Sequence, residues 1–562
     1  MDSPRYTSLT FIQDTVAALT VTVLLVPQSL AYALLAGLPP ETGLYASIVP
    51  LVAYAVFGSS KTLSVGPVAV ASLMTAAAVG DIVASGLADA TTAAITLALL
   101  GGVMLMLLGC LRMGFIANFL SHSVISGFIS ASGILIACSQ LKHLLGISMH
   151  GDSLPELLST LGSQIAVVHM PTVLLGGSVL VFLGFCRSGL APLLATFGIP
   201  KPAASVMTKA APMLAVIATI FLSQKLDLAS SGIAIIGEVP SGLPSFSVSI
   251  PSIELIEALI APAFIIAMVG FVESVSVGRT LGAKRRERII EDRELLGLGA
   301  ANIASAASGG FPVTGGFSRS VVNFDAGART QVASGLTALG MGAVIVYLTP
   351  YLYYLPRATL AATIIIAVGS LISFRDVGTA RALSRSDFST IVTTLCMTLL
   401  FGVEVGVVVG IVCSVGLHLY KTSVPHVAEV GLVAGTEHYR NVRRHDVITY
   451  PGILSLRIDE SLYFANAGYL ETYVENIVDA SDGVKHVILM CSAVNEIDIT
   501  ALHSLGNINL ALQSRGSRLH LSEVKGPVMD KLSNTNFIET LTGNVFLSHH
   551  QAITELRAAK TA

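Results

Sequence analysis

The sequence predicts a polytopic α-helical membrane protein with fourteen transmembrane segments in a seven-plus-seven inverted repeat, followed by a small α/β domain. Three observations predict it. Only 12% of the 562 residues are charged and 53% are hydrophobic, against roughly 25% charged in a soluble protein. Apolar runs long enough to cross a bilayer, about 17 to 25 residues as helix, recur from Phe11 to near Tyr420 and then stop. Two stretches of the first half also return, seven segments later, in the second.

The segments are expected near residues 11–37, 43–58, 67–80, 91–111, 119–141, 171–187, 205–223, 254–280, 291–307, 317–327, 331–349, 358–373, 387–402 and 404–420. Several are shorter than a full crossing needs. The opening "MDSPRYTSLTFIQD" lacks the basic and apolar regions of a signal peptide, so the first segment is expected to stay. With a cytoplasmic N-terminus, the even-numbered connections should hold the basic residues. They do: Lys61, Arg112, Arg187, Lys201, Lys209, the run "GRTLGAKRRERIIEDR" (278–293), Arg329, Arg375, Arg381 and Arg385. The other side offers only Lys142, Lys225 and Arg357, which puts both termini in the cytoplasm.

The repeat is visible by eye. "VPQSLAYALLAGL" (26–38) aligns with "FVESVSVGRTLGA" (271–283), setting Gln28 opposite Glu273 and Ser29 opposite Ser274. The segment after "TLSVGPVAV" (62–70) likewise corresponds to the one after "FPVTGGFSR" (311–319). An odd-numbered repeat inserts its second copy upside down, the inverted symmetry common in secondary transporters.

Beyond the last segment the pattern alternates between strand and helix. "GILSLRID" (452–459) has period-two apolar positions, 467–480 reads as an amphipathic helix, and "HVILMCSAV" (486–494) as a buried strand. A helix at 500–514, a strand at 518–524, a short helix near 527–533 and a last helix near 550–559 complete a mostly parallel sheet with helices. Residues 1–430 are assigned to the membrane domain and 431–562 to a cytoplasmic one.

Several function classes drop out. The six cysteines are scattered without zinc or disulfide spacing and read as small core residues. No basic run suits nucleic acid. "GGFPVTGG" (309–316) lacks the lysine and hydroxyl of a phosphate loop, which argues against ATP-driven work. No cofactor, metal or enzymatic activity is expected.

What remains are two breaks in the membrane helices. Gly66-Pro67 and Gly315-Gly316 each separate a short extended piece from a truncated apolar helix, and Pro67 suits a first helical turn. Inverted symmetry would point the two helix N-termini at each other near the midplane, where free N–H groups and helix dipoles attract an anion. Glycines that only let helices pack closely are the alternative.

Arg319 favours the anion. A guanidinium at membrane depth costs about 2.5–3.5 kcal/mol and wants a partner, its planar fork matches an oxyanion, and Ser318 and Ser320 add neutral donors. Gly316-Phe317 is the turn that exposes the backbone N–H groups, so Phe317 counts with the site. A structural ion pair with Glu273 is the other reading, and both hold if Glu273 pairs with Arg319 when the site is empty. Glu273, deep in "APAFIIAMVGFVESVSVGRTLG" (261–282), would couple proton to anion occupancy, because its charge depends on what lies beside it. A sodium site is its rival, but the neighbours at i−4 and i+4 are Val269 and Val277. Gln28 and Tyr32, one turn apart, would face the same gap through the repeat, or make an interhelical hydrogen bond.

At these residues the chain resembles the sulfate permease (SulP) family, which includes bacterial and plant sulfate transporters and the prestin- and pendrin-type anion exchangers. The stretches that carry the resemblance are 26–47, 58–74, 119–128, 139–147, 271–284 and 311–330. The resemblance implies core and gate domains, elevator-like alternating access and a homodimer. It places Gln28, Tyr32, Val68, Ser318 and Arg319 at the family's anion site and Glu273 at its membrane carboxylate. Val68 replaces a residue that is aromatic in some animal relatives, which weakens any ring-stacking role.

The C-terminal domain is similar to a STAS domain. Where anti-sigma factor antagonists carry a phosphorylation loop, this chain has "DITAL" (498–502), with Thr500 as a regulatory phosphorylation candidate and a structural helix cap as the alternative.

The resulting expectation is a transporter in the cytoplasmic (inner) membrane that takes up sulfate with protons. Sodium-coupled bicarbonate uptake, chloride/bicarbonate exchange and an uncoupled channel or sensor are the alternatives.

Overall fold

Each of the fourteen predicted segments lies on a helix of the computed structural model, which describes residues 6–118, 121–149, 151, 153–198, 201–240, 242–244, 246, 251–481 and 483–561. Residues 119 and 120, which open the fifth segment, lie outside that set. Among the described residues, seven helices are long and apolar enough to cross a membrane by themselves: Ser8–Leu35, Pro40–Phe57, Ala90–Cys110, His122–Leu145, Met170–Leu194, Ile253–Arg285 and Val403–Ser423. Shorter helices fill the remaining positions, among them Ala69–Ser85 and the nine-residue Phe317–Asp325. Among the helices outside the predicted segments, Leu154–Gln164 and Phe374–Leu383 are amphipathic or charged and give no continuous apolar run. The chain divides into two compact units at Ser414/Val415, inside the Val403–Ser423 helix.

In the membrane unit the two breaks meet. Val65–Gly66 and Thr314–Gly315 form a two-stranded antiparallel ladder, Val65 opposite Gly315 and Gly66 opposite Thr314. Ladder pairing satisfies backbone groups that no water could serve in a bilayer. Side chains finish the work. Ser320 Oγ accepts from Ser64 N (3.0 Å) and Gly315 N donates to Ser274 Oγ (2.9 Å). Asn302 holds Val313 from both sides, accepting from its N–H and donating to its C=O, each at 2.9 Å. Asn323 Nδ2 donates to Thr62 O (3.0 Å). Gly270 lets the second break lie against the Ile253–Arg285 helix, since a Cβ there would meet Thr314 at 3.0 Å.

Two fully buried carboxylates act as staples. Glu294 accepts from Tyr54 Oη (2.8 Å), Ser59 N (2.9 Å), Ser59 Oγ (2.6 Å) and Ser60 N (3.0 Å), fixing the chain that leads into the first break. Asp14 accepts from Arg329 N (2.7 Å), Thr330 N (3.1 Å) and Thr330 Oγ1 (2.6 Å) beyond the second. Such charge-assisted bonds are the strong ones, and they are what makes a buried carboxylate tolerable.

The C-terminal unit is built on a six-stranded sheet, in spatial order 439–441, 427–432, 453–458, 486–490, 518–522 and 545–546. The last four are parallel and the first two antiparallel. The strand Val427–Leu432 spans the 430/431 position where the sequence reading set its domain boundary. Helices Ala467–Asp479 and Ile499–Ser514 lie close to their predicted ranges, burying Leu470, Val474, Leu505 and Ile508 against the sheet. All six cysteines are free; Cys186 and Cys491 are buried as expected, whereas Cys110 and Cys396 are exposed on the protein surface.

Candidate functional site

The Ala69–Ser85 and Phe317–Asp325 helices both begin where the paired strands end. Val68 and Gly316 are their N-cap residues, and neither has a side-chain cap. The first-turn N–H groups of each helix are therefore left for a ligand.

A cavity enclosing about 520 Å³ lies at these two ends, lined by Gln28, Tyr32, Val68, Glu273, Phe317, Ser318 and Arg319. Every residue the sequence assigned to substrate binding or proton coupling reaches it. Ala367, Ser370 and Leu371, from the end of the twelfth segment, stand in the same wall. The sequence reading missed these three, because "AVGSLIS" carries neither charge nor a helix break.

Arg319 is 2% exposed. Its Nη1 donates to Pro67 O (2.7 Å) and Nη2 reaches Ser64 O at 3.5 Å, so carbonyls of the opposite break hold the guanidinium. The expected ion pair with Glu273 does not form: among the described residues no salt bridge joins them. Backbone acceptors fix the charge without neutralising it, and Nε stays buried without a partner. Gly66 makes the approach feasible, because a Cβ there would stand 3.3 Å from both Nη1 and Nη2.

The other residues divide by availability. Ser318 is exposed to the cavity, Gln28 is half-buried and Tyr32 is buried. Ser320 is not the neutral donor expected of it, since its hydroxyl donates to Gly316 O (2.7 Å) while accepting from Ser64 N. Val68 and Phe317 give apolar walls, Phe317 being 48% exposed. Among the described residues no hydrogen bond reaches the Glu273 carboxyl, which also borders an apolar crevice formed by Val124, Phe128, Val272 and Val407.

In the C-terminal unit, Asp498 rather than Thr500 caps the Ile499–Ser514 helix, accepting from Ala501 N at 2.8 Å and from Phe464 N at 2.7 Å. Thr500 is exposed in the first turn of that helix.

Comparison with known proteins gives the family of the chain. The model of the sulfate permease family matches residues 11–394, and that of the STAS domain matches residues 444–552. The Arabidopsis thaliana protein "Sulfate transporter 4.1, chloroplastic" is 34% identical over 554 residues, covering 96% of this chain and 79% of that protein. "Probable sulfate transporter Rv1739c" of Mycobacterium tuberculosis (strain ATCC 25618 / H37Rv) is 33% identical over 553 residues, covering 97% and 95%. Among solved structures, the murine Solute Carrier 26 family member A9 anion transporter in the inward-facing state superposes with a TM-score of 0.88 at 23% identity, covering 99% of this chain and 92% of that one. The transmembrane domain of the cyanobacterial bicarbonate transporter BicA gives a TM-score of 0.60 at 20% identity, covering 74% and 99%. All of these proteins are named as transporters, none as an enzyme. The chain belongs to the sulfate permease family and carries a STAS domain.

Proposed function

We propose that the protein is a secondary transporter that brings an inorganic oxyanion, sulfate first among candidates, into the cell together with protons. The observation that carries this reading is Arg319, buried beside two uncapped helix ends and held by carbonyls that leave its charge uncompensated. Such a site has positive potential and donors but no anion of its own within bonding distance. The Arg319 fork, the Ser318 hydroxyl, the Gln28 amide, the Tyr32 phenol and the first-turn N–H groups bind the oxyanion, while Val68 and Phe317 limit its size.

Glu273 is the coupling residue. Ionised, it opposes an anion in the cavity it shares with Arg319; protonated, it does not, so anion and proton enter together. Coupling is needed because an inside-negative potential opposes uptake by about 2.3 kcal/mol per charge per 100 mV, or about twice that for sulfate. Residues 1–430 form the transport unit, working as a homodimer by elevator-type alternating access in the cytoplasmic membrane with both termini inside. Residues 431–562 form a cytoplasmic regulatory unit in which Thr500 is accessible to a kinase.

The test is uptake of labelled sulfate into proteoliposomes under an imposed pH gradient, with bicarbonate and chloride as competitors and sodium present or absent. Concentrative uptake driven by the gradient supports the reading. Indifference to the gradient removes the proton, a sodium requirement replaces it, and preference for bicarbonate or chloride replaces the substrate. Glu273→Gln is expected to abolish the response to the gradient while sulfate binding changes less than threefold, about 0.6 kcal/mol.

A further inference from the structure

The cavity around Arg319 continues outward. It shares Gln28, Phe317, Ser318, Ala367 and Ser370 with a second, wider cavity enclosing about 1150 Å³. Among the described residues lining that wider space, Arg187 carries the only charge. The sequence places Arg187 at the end of the sixth segment, where no partner was foreseen.

Arg187 sits in an unusual piece of backbone. The helix Met170–Phe185 passes into a five-residue π-helical stretch, Cys186–Leu190, before Ala191–Thr196 continues. Such insertions shift the facing of a side chain and recur at functional positions. Here Cys186 is buried while the next residue, Arg187, is exposed to the cavity. Its Nη1 donates to Ile366 O at 2.5 Å, and among the described residues no other hydrogen bond or ion pair engages its fork.

The tether matters because Ile366 belongs to the last turn of Arg357–Val368, and the adjacent Ala367 and Val368 line the inner cavity. One arm of the guanidinium thus holds the wall of the inner site, and the rest of the fork stands in the passage leading to it. A hydrated, exposed cation in a walled cleft raises the local concentration of anions without binding them tightly.

We infer that Arg187 forms an approach subsite for the oxyanion, holding it at the wide end of the passage before it reaches Arg319. This rests on Arg319 being the anion-binding residue. The competing explanation is a plain helix C-cap, in which Arg187 serves only the Ile366 carbonyl.

Equilibrium binding of labelled sulfate to the detergent-solubilised full-length protein, at low and high ionic strength set with gluconate, separates the two. Arg187→Gln keeps a donor for Ile366 O and removes the charge. Its Kd is expected to rise roughly three- to tenfold at low ionic strength and to converge with the parent at high ionic strength. Adding Thr208→Lys, which returns a cation to the same cavity without the cap, is expected to restore the low-salt affinity. Affinity of Arg187→Gln equal to the parent at both salt levels overturns the subsite and leaves the cap. If that variant does not fold, Thr208→Lys in the parent decides, and an unchanged low-salt Kd overturns the inference. Arg319→Ala is the control for the underlying reading. It must lose saturable binding at both salt levels, and saturable binding that survives it refutes the inner site together with the approach to it.

Discussion

Acidification should loosen the C-terminal unit while leaving the membrane helices intact. Two of its histidines are buried, His520 on the strand Arg518–Ser522 at 2% and His549 at the start of the last helix at 0% exposure. His520 Nδ1 accepts from Asn544 N (3.0 Å), and its Nε2 meets His486 Nδ1 at 3.0 Å. A proton on Nδ1 would therefore set one donor against another. Burial, followed by the charges of His486 and Arg518, pushes the His520 pKa down to about 4. Burial, with a smaller effect of His550, does the same to His549, also to about 4.

Both folded values lie below the usual 6.5 of an unfolded histidine, so the unfolded chain takes up protons first as pH falls. Stability is then full above pH 6.5 and drains away through pH 4. At pH 5 linkage gives about 2 kcal/mol per histidine, about 4 kcal/mol for the pair, as an upper figure. Hydrogen exchange of the full-length protein, corrected for the intrinsic pH effect, reads this directly in strands His486–Met490 and Arg518–Ser522. Protection there should fall by roughly 30-fold per histidine between pH 7.5 and 5. His549→Gln should remove about half of the free-energy change. Unaltered protection at pH 5, or an equal fall in the Glu291–Ala307 helix, would refute the reasoning.

Three further outcomes follow from the membrane unit. Gly66→Ala places a methyl group 3.3 Å from both terminal nitrogens of Arg319; it should weaken sulfate binding by about tenfold, roughly 1.4 kcal/mol, with an unchanged elution profile on size exclusion. Glu294→Ala strands the four donors that converge on that carboxylate and should destabilise the fold by about 3–5 kcal/mol. The chain has no tryptophan, so melting is best followed with a thiol-reactive dye, added after the exposed Cys110 and Cys396 are blocked in the folded protein, that reports exposure of the buried Cys186 and Cys491. Asn302→Ala should release Val313 from its clamp and lower both melting temperature and sulfate affinity, with Asn302→Asp restoring only the half that accepts from Val313 N.

The membrane helices were legible because hydrophobic length is a one-dimensional signal. The two breaks were legible because glycine and proline mark where a helix cannot continue, and the basic residues gave an expected orientation. The partner of Arg319 was not legible. A sequence displays carboxylates but not carbonyls, so Glu273 was the visible candidate while Pro67 O and Ser64 O are the groups that bind it. Ser320 misled for the same reason, since its hydroxyl is used up by the ladder. The staples at Glu294 and Asp14 gave no local sign, because the backbone N–H groups they hold are 234 or more positions away. In the C-terminal unit, the three-residue strand Tyr439–Asn441 and two-residue Val545–Phe546 are too short to show a period.

The ladder between the breaks also constrains how the chain can be made. Ser64 and Ser320, which bond across it, are 256 positions apart. At about 5–20 residues per second, the first break waits roughly 10 to 50 s for its partner strand to leave the ribosome. Throughout that time the N–H and C=O groups around Val65 and Gly66 have no ladder, and each unsatisfied group in hydrocarbon costs several kcal/mol. The nascent first repeat must therefore be sheltered by the insertion machinery or keep this break at the water interface. Biogenesis then ends in a late step that pairs the two breaks.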